Sequence, residues 1–460
     1  MSRIETTGSK LEILSATGSF SLLEHLSEMI IYENIFRPVL TGKLALREAH
    51  NLPFKLPIVG EETLNIDFGI EGFEDDKLRI KPPPLHVNSI KDREILKPKS
   101  QFLSLELISE KFMSDSHARI SRSYRDKRIS EIVTDIYSTY LDSGSDLYVE
   151  KTDRIERCII PNLSPLDAIK WLSFRAVADT PGHNVDYLFY ETIGGSFFVS
   201  INSLLGKDPV LVCELNTTMK DDTALSIGVM NVDKLKFINT FNKHQNTKRG
   251  VYSSKLITHD IVKKKIIQHE NNYLLDWFGS NHLGDHPPVS GSLVETKSAS
   301  VNRTSFGPPK KKHSATTDET LLASMVDSRV EFYPKHDRMY STWTGDSYDN
   351  KAEEWKLQRN SNIGLFQGTK IYVEGQGISS VRVGQIIYLL VPSAETTDAD
   401  KKSDVGYDKA LSGKYMITAI KHIFSVESAG GTGIDYRMGL ELSKDGVEQI
   451  VPFRKSRKED

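Results

Sequence analysis

Residues 63–70 alternate between apolar and polar side chains with a period of two. The apolar positions are Leu64, Ile66, Phe68 and Ile70, and the residues between them are Asn65, Asp67 and Gly69. This period is typical of a β-strand with one buried and one solvated face. A second strand-like run starts at residue 30, and a turn region rich in Pro, Gly and Asn joins the two. The pair is therefore predicted to form the edge of a barrel that joins another element.

Chain length, net charge and cysteine content limit the class of protein. A chain of 460 residues is too long for one small core, which predicts two to four domains. With a net charge of −3, the chain has no global basic field that would attract nucleic acid. Cys158 and Cys213 lie in apolar strand-like runs, so we predict two small buried side chains and no disulfide or zinc site. The chain shows no signal-peptide pattern and no apolar run of membrane-spanning length, which predicts a soluble protein made in a cytoplasm.

The first part of the chain is rich in short candidate strands with turn signals between them, which predicts a barrel or sandwich. These strands are residues 10–14, 22–36, 43–47, 63–70, 77–80, 86–90 and 101–108. After Ser121 the apolar spacing becomes helical, from Ile129 to Leu141. A second helix is predicted from Ser164, which can cap it, to Ala176, and Pro165 suits its first turn. A hairpin is predicted to follow over residues 187–201.

Strand patterns return in the second half of the chain. They are residues 234–240, 251–267, 370–374, 385–391, 414–424 and 435–442. A stretch rich in Pro, Ser, Gly and Lys, including the basic run after Pro308, interrupts them, and a helix is predicted at 347–359. Residues 393–412 are predicted to be a long exposed hairpin loop.

The predicted fold class is mainly β with an α+β insertion. The predicted division is a first β-barrel (1–112), an α+β domain (113–225), the first part of a second barrel (226–282), a polar insertion with a helix (283–350), and the second part of that barrel with a C-terminal tail (351–460).

One internal echo connects the two β-rich parts. Ser89-Ile-Lys is followed by Ser104-Leu-Glu-Leu, and Ala419-Ile-Lys is followed by Gly439-Leu-Glu-Leu. Short alternating stretches recur by chance, but a duplicated barrel would leave such an echo.

The sequence contains no recognisable catalytic, metal-binding or cofactor-binding motif. The spacing of His282 and His286 is metal-like, but Gly284 between them and the prolines after them favour a surface loop. Carboxylate pairs for glycoside hydrolysis stay open, because their separation is set in space. The basic residues at 243–249 and 263–265 could contact phosphates, but no aromatic residues are interleaved with them.

Three stretches resemble the central baseplate hub proteins of contractile-tailed phages, of which the T-even hub is an example, and the related hub part of type VI secretion spike proteins. The first is Glu33-Asn-Ile-Phe-Arg-Pro-Val-Leu-Thr-Gly-Lys-Leu with Leu56-Pro-Ile-Val-Gly-Glu-Glu-Thr-Leu. The second is Arg128-Ile-Ser-Glu-Ile-Val with Asn162-Leu-Ser-Pro-Leu-Asp-Ala-Ile-Lys-Trp-Leu. The third joins Ala352-Glu-Glu-Trp-Lys-Leu-Gln, Val383-Gly-Gln-Ile-Ile-Tyr-Leu and Leu411-Ser-Gly-Lys-Tyr-Met-Ile-Thr. Residues 283–345 and 393–412 do not match.

The resemblance implies two tail-tube-like barrels per subunit and a homotrimeric ring of six barrels. Such a ring adapts the six-fold tail tube to the three-fold spike and lets DNA pass during injection. The implied partners are a tail spike protein, a tube or tube-initiator protein and a tape-measure protein, with no cofactor, no metal and no membrane insertion. The implied location is the virion tail baseplate, after assembly in the host cytoplasm. The residues predicted to lie at barrel interfaces are Arg37, Thr41, Glu61, Glu62, Thr63, Arg382, Gln385 and Lys414.

Two other functions compete with this structural role. A tail-tip peptidoglycan hydrolase would clear cell-wall substrate and would lose that activity with one acidic residue. A DNA-contacting tail-end protein would bind duplex DNA in a salt-sensitive way, which the near-neutral charge disfavours. The hub part of a type VI-like injection system is a variant of the structural role.

Overall fold

A computed structural model of the chain describes residues 2–71, 78–97, 100–142, 144–180, 184–215, 229–239, 242–273, 277–288, 328–335, 352–392, 407–408, 411–426 and 433–448. The predicted basic run after Pro308 and residues 393–406 of the predicted hairpin loop lie outside the described residues.

The described strands are β1 Ser2–Ser15, β2 Gly18–Ser21, β3 Leu26–Asn34, β4 Thr41–Glu48, β5 Thr63–Ile70, β6 Leu85–Lys97, β7 Ser100–Ser109, β8 Ile120–Arg128, β9 Leu147–Val149, β10 Ile155–Leu163, β11 Tyr187–Thr192, β12 Gly195–Ser200, β13 Pro209–Leu215, β14 Val229–Asn239, β15 Ser253–Asp260, β16 Lys265–Asn272, β17 Val330–Pro334, β18 Thr369–Gln376, β19 Ile386–Leu390, β20 Gly413–Val426 and β21 Ile434–Lys444. The α-helices are α1 Leu52–Lys55, α2 Glu110–His117, α3 Ile129–Ile136, α4 Pro165–Ser173, α5 Ile201–Leu205, α6 Lys243–Lys248 and α7 Ala352–Phe366. Leu23–His25 and Trp277–Gly279 form 3-10 turns, and Tyr137–Leu141 continues α3 as a π-helical turn.

Strand pairing in the largest sheet closes two circuits. The first runs β3–β4–β7–β6–β5–β1–β21–β20 and returns to β3. The second runs β14–β18–β21–β20–β19–β13 and returns to β14. Both circuits use β20 and β21, because one end of β20 pairs with β19 and its other end pairs with β3. The fold is thus mainly β, as the sequence predicts.

Five strands of each circuit follow the same path. In chain order they are β3, β4, β5, β6 and β7 in the first and β14, β18, β19, β20 and β21 in the second. In space both sets follow one pattern, β3–β4–β7–β6–β5 and β14–β18–β21–β20–β19. This shared order makes the two halves structural repeats.

The sequence echo falls at matching places in the two repeats. Ser89 lies opposite Glu106, and Ala419 lies opposite Glu441. Each strand also has a register shift just before these pairs, between Val87 and Ser89 on β6 and between Ile417 and Ala419 on β20. A bulge at the same position of both strands is independent support for the duplication.

Buried residues of both circuits form one large core. The inward side chains of β5 include Leu64 and Phe68, both fully buried, as the alternation predicts. Cys213 is buried and Cys158 is half-buried, and both are free. None of the helices in the described ranges is long and apolar enough to cross a membrane.

An α+β unit with its own core lies between the repeats in sequence. Its strands form the two-stranded sheet β8–β10 and the three-stranded sheet β11–β12–β9. Helices α3 and α4 pack their apolar faces into this core through Ile132, Val133 and Ile169. Helix α4 begins as predicted, because the Ser164 hydroxyl accepts a hydrogen bond from the Asp167 N–H at 3.4 Å.

The strand pairing adds two findings about segments near the predicted domain boundaries. Strand β13 (Pro209–Leu215) pairs in parallel with β14 and β19, so it belongs to the second circuit although it precedes residue 226. The predicted strand at 251–267 is instead the hairpin of β15 and β16, which forms a separate sheet with β17. The run at 22–36 likewise contains a 3-10 turn before β3. The domain boundaries themselves stay a prediction.

Candidate functional site

A groove of about 580 Å³, lined by both polar and apolar side chains, crosses the sheet where the two circuits meet. Its lining comes from both repeats and includes Lys43 and Glu106 of the first and Lys421 and Glu441 of the second. Lys43 lies opposite Glu106, and Tyr32 lies opposite Lys421. Since directly opposed residues share a sheet face, these side chains belong to one continuous surface.

Glu106 of the first repeat and Glu441 of the second line this groove at matching positions, and both are held by a bulge residue and a lysine. Glu106 accepts hydrogen bonds from the Ser89 hydroxyl at 2.9 Å and from the side chain of Asn88, the extra residue of the β6 bulge. Lys91 Nζ lies 3.2 Å from the same carboxylate. Hydrogen bonds from Ser89 and Lys91 lower the pKa of Glu106, so it is charged at neutral pH.

Glu441 repeats this arrangement in the second half. Thr418, the extra residue of the β20 bulge, donates to Glu441 Oε1 at 2.8 Å, and Lys370 Nζ lies 2.7 Å from the same atom. The lysine comes from β18 rather than from the bulged strand. Both glutamates are therefore neutralised by a lysine and aimed by a bulge residue.

A buried carboxylate lies beneath the groove and connects three segments. Glu33 on β3 is fully buried, and its two oxygens accept hydrogen bonds from the Ile193 N–H at 2.9 Å and the Val383 N–H at 3.3 Å. His422 Nε2 lies 3.5 Å from Oε1, and its Nδ1 pairs with the Tyr436 hydroxyl at 2.8 Å. Glu33 thereby links the first repeat to the α+β unit and to the second repeat.

The charge of Glu33 is maintained by its partners. Burial alone would raise its pKa, but hydrogen bonding and attraction from His422, then attraction from Arg382 and the Ile193 N–H bond, outweigh burial and hold the pKa below its usual range. Burial raises the pKa of the Tyr436 hydroxyl, which stays protonated.

A second buried carboxylate, on the β11–β12 hairpin, binds the loop that follows β3. Glu191 on β11 accepts a hydrogen bond from the Leu40 N–H at 3.0 Å, at the end of the loop that follows β3. Its other oxygen pairs with Lys111 Nζ at 2.5 Å, and both side chains are fully buried. The stretch from Glu33 to Leu40 is thus fixed to the β11–β12 hairpin at both of its ends.

The predicted interface residues of the first barrel fall in two places. Arg37 and Thr41 line the groove. Glu61 is exposed and Thr63 is half-buried at the start of β5. Glu62 is 2% exposed, and its carboxylate accepts hydrogen bonds from the backbone N–H groups of residues 59 and 60, so its described contacts are internal.

The predicted interface residues of the second barrel lie around β19. The Gln385 side-chain oxygen accepts a hydrogen bond from the Arg382 N–H at 2.9 Å, so these two form one turn before the strand. Lys414 is exposed near the start of β20, opposite Tyr388. Whether these residues meet another subunit stays a prediction.

The groove residues Glu106, Lys421 and Glu441 were not among the predicted site residues. The signal that could have found them is the echo itself, since it contains all three.

The histidine pair at 282–286 is a loop, as predicted, but it packs inward. The His282 ring stacks on Trp277 at 3.5 Å, and its Nδ1 pairs with Asp445 at 2.6 Å. Among the residues that the structure describes, no group of three or more His, Cys, Asp or Glu side chains could hold a metal ion. Burial raises the pKa of the Cys158 thiol to about 11 and that of Cys213 to about 12, so neither is a reactive thiolate at neutral pH.

No protein-family model and no curated protein sequence matches this chain. Among solved structures, the chain is similar to the tail protein from Neisseria meningitidis MC58, with a TM-score of 0.51, 9% identity, and coverage of 96% of this chain and 98% of that chain. It is also similar to the 43 kDa tail protein of prophage MuSo2 from Shewanella oneidensis, with a TM-score of 0.51, 9% identity, and coverage of 95% and 99%. The chain has the fold of these tail proteins along nearly its whole length. At the level of the fold, this confirms the resemblance to baseplate hub proteins.

Proposed function

We propose that this chain is a structural, non-enzymatic hub of a phage tail baseplate. Three copies form a ring in which each copy contributes two tube-like barrels. The ring of six barrels adapts the six-fold tail tube to a three-fold spike and lets DNA pass through its lumen during injection. The protein belongs to the virion tail and is assembled in the host cytoplasm.

The observation that carries this proposal is the internal duplication. Two repeats with the same strand order lie side by side in one sheet, joined through the pairing of β20 with β3. Three copies of a two-repeat chain give six similar units, which a closed three-fold ring needs in order to match a six-fold partner. The similarity in fold to two tail proteins supports the same reading.

The groove supplies the lumen wall in this proposal. Its surface continues across both repeats, and Glu106 and Glu441 are paired with lysines. The lining also carries Arg37, Lys43 and Lys421, so a passing phosphate backbone meets cations as well as the paired glutamates along this wall. The partners are the spike protein, a tube or tube-initiator protein and a tape-measure protein, with DNA present only in transit.

The test is the mass of the purified protein in solution, measured by light scattering over a range of concentrations. A trimer has a mass of about 155 kDa, three times the 51.8 kDa of one chain. We expect the trimer to form, and to be weakened by Lys414→Glu but not by Lys207→Glu, a matched change at another exposed lysine. A stable monomer at high concentration that binds no spike protein would overturn the proposal.

A further inference from the structure

The β15–β16 hairpin presents an apolar tip next to three lysines. Ile261 is 67% exposed and Val262 is 72% exposed in the turn between the strands. Lys263, Lys264 and Lys265 follow directly, and all three are exposed. Adjacent apolar side chains of this size form the start of an exposed apolar patch, and contiguous patches rimmed by polar residues mark interaction surfaces.

The tip has a defined shape. The Asp260 carboxylate accepts hydrogen bonds from the backbone N–H groups of Val262 at 3.0 Å and Lys263 at 2.9 Å. Lys264 adopts a left-handed backbone conformation, with φ at 50°, which turns the chain into β16. The apolar and basic side chains are therefore held together on one short turn.

The apolar surface continues from the tip along one face of the sheet. His259 on β15 lies opposite Ile266 on β16 and Pro334 on β17, and Ile257 lies opposite Phe332. Ile266 is 62% exposed and Phe332 is 73% exposed. The alternate residues of β15, such as Leu256, are buried on the other face, where the sheet contacts helix α7.

We propose that this hairpin docks on an anionic lipid surface, with Ile261 and Val262 entering the acyl boundary and the three lysines meeting acidic head groups. An apolar edge followed by a basic cluster has the charge and polarity order of a peripheral membrane contact. Residues 260–265 contain three lysines and one acidic residue, Asp260, so the turn carries a net positive charge. This complementarity favours an anionic bilayer over a neutral one. The inference rests on the hairpin alone and does not depend on the ring.

The test is co-sedimentation of the full chain with vesicles. One vesicle set contains equal amounts of phosphatidylglycerol and phosphatidylcholine, and the other contains phosphatidylcholine alone. We expect binding to the first set, weakened by salt, and much weaker binding to the second. Each lysine near an anionic surface contributes about fivefold, so replacing all three with glutamine is expected to lower the partition coefficient roughly 100-fold.

The double variant Ile261→Asp/Val262→Asp is expected to abolish sedimentation with vesicles. Ile159→Asp is the matched control, since Ile159 is 71% exposed on β10, and it is expected to bind like the unchanged chain. The inference fails if the unchanged chain ignores both vesicle sets or if the double variant binds as well as the control. It also fails if the double variant lowers the mass in solution without vesicles, because the hairpin would then join two copies of the chain. The ring proposal is unaffected by the first two results, since its readout is mass alone.

Discussion

Replacing Glu33 with glutamine tests whether one buried carboxylate holds the α+β unit against both repeats. In the unchanged chain its two oxygens accept hydrogen bonds from the N–H groups of Ile193 and Val383. Glutamine has nearly the same shape but keeps only one acceptor oxygen. Its NH₂ group would face a backbone N–H, and the attraction to His422 at 3.5 Å would be lost.

The cost follows from these contacts. A buried donor left without an acceptor costs about 1–3 kcal/mol, and bonds to charged groups are the stronger ones. Because the lost bond is to a charged acceptor, a cost of about 3 kcal/mol, at the upper end of this range, is expected. If the free energy of local opening around Ile193 and Val383 falls by this amount, amide exchange there accelerates roughly 150-fold, since 1.4 kcal/mol is a factor of ten.

Hydrogen exchange followed by mass spectrometry is the suitable assay, because a chain with several cores does not give one unfolding free energy. Peptides that cover residues 187–200 and 378–385 are expected to lose protection in Glu33→Gln. Glu28→Gln is the control, since Glu28 lies on the same strand but is exposed. Unchanged protection of both peptides in Glu33→Gln would refute the role assigned to Glu33. A similar loss in Glu28→Gln would also refute it.

Three further changes test other buried contacts. Lys111→Met leaves the buried Glu191 carboxylate without its cation and is expected to destabilise the α+β unit by about 3–5 kcal/mol, measured by faster amide exchange of peptides from residues 129–141 and 187–200; adding Glu191→Gln should recover part of this. Gly377→Ala places a Cβ 2.3 Å from the buried Tyr436 ring, which is expected to cost about 1–3 kcal/mol and lower the melting temperature. Burial raises the pKa of Asp186 from its ordinary 3.8 to about 6, so the stability it contributes is present below pH 4 and is lost as pH rises through 6. Asp186→Asn should remove that loss and raise the urea midpoint at pH 8 more than at pH 4.

Controls for these changes come from the same chain. An added Cβ at Gly279 meets no heavy atom within 4 Å, so Gly279→Ala should leave the melting temperature nearly unchanged. Equal melting temperatures for the two alanine variants would contradict the packing against Tyr436. If Asp186→Asn shows the same pH dependence as the unchanged chain, another group is responsible for it. If the Lys111→Met single and double variants are equally stable, the ion pair is not what stabilises the unit.

Local signals in the sequence predicted local structure well. Ser164 and Pro165 begin a helix, because a hydroxyl acceptor and a fixed φ act within one turn. The alternation in residues 63–70 gives a strand with its apolar side in the core. The predicted helix at 347–359 is observed as Ala352–Phe366, and the residues before 352 lie outside the described ranges.

The pairing of strands that are distant in the chain could not be predicted from such local signals. Alternation shows that a strand has a buried face but does not identify its neighbours. Strand β13 joins the second circuit through parallel pairs with β14 and β19, and the β19 partner is more than 170 residues away in the chain. Strands β15, β16 and β17 form their own sheet. Helix α7 packs against the buried face of β15 and β16, and the strand pattern in the sequence does not reveal this contact. Glu33 was noted only as part of a motif, because its partners Ile193 and Val383 are distant and bind through backbone groups.

The two bulges explain how an echo of two short stretches can mark a duplication of whole strands. A one-residue slip in register turns every later side chain of a strand to the other face. On β6 the bulge at Asn88 sets Ser89, rather than Asn88, opposite Glu106, and on β20 the bulge at Thr418 sets Ala419 opposite Glu441. In both repeats the bulged residue then binds the glutamate that its own register shift has positioned. Such a unit requires an alternation, one extra residue and one acidic partner, and it leaves most other positions free. The two copies of the unit within this chain show that freedom, since the bulged residue is Asn88 in one and Thr418 in the other.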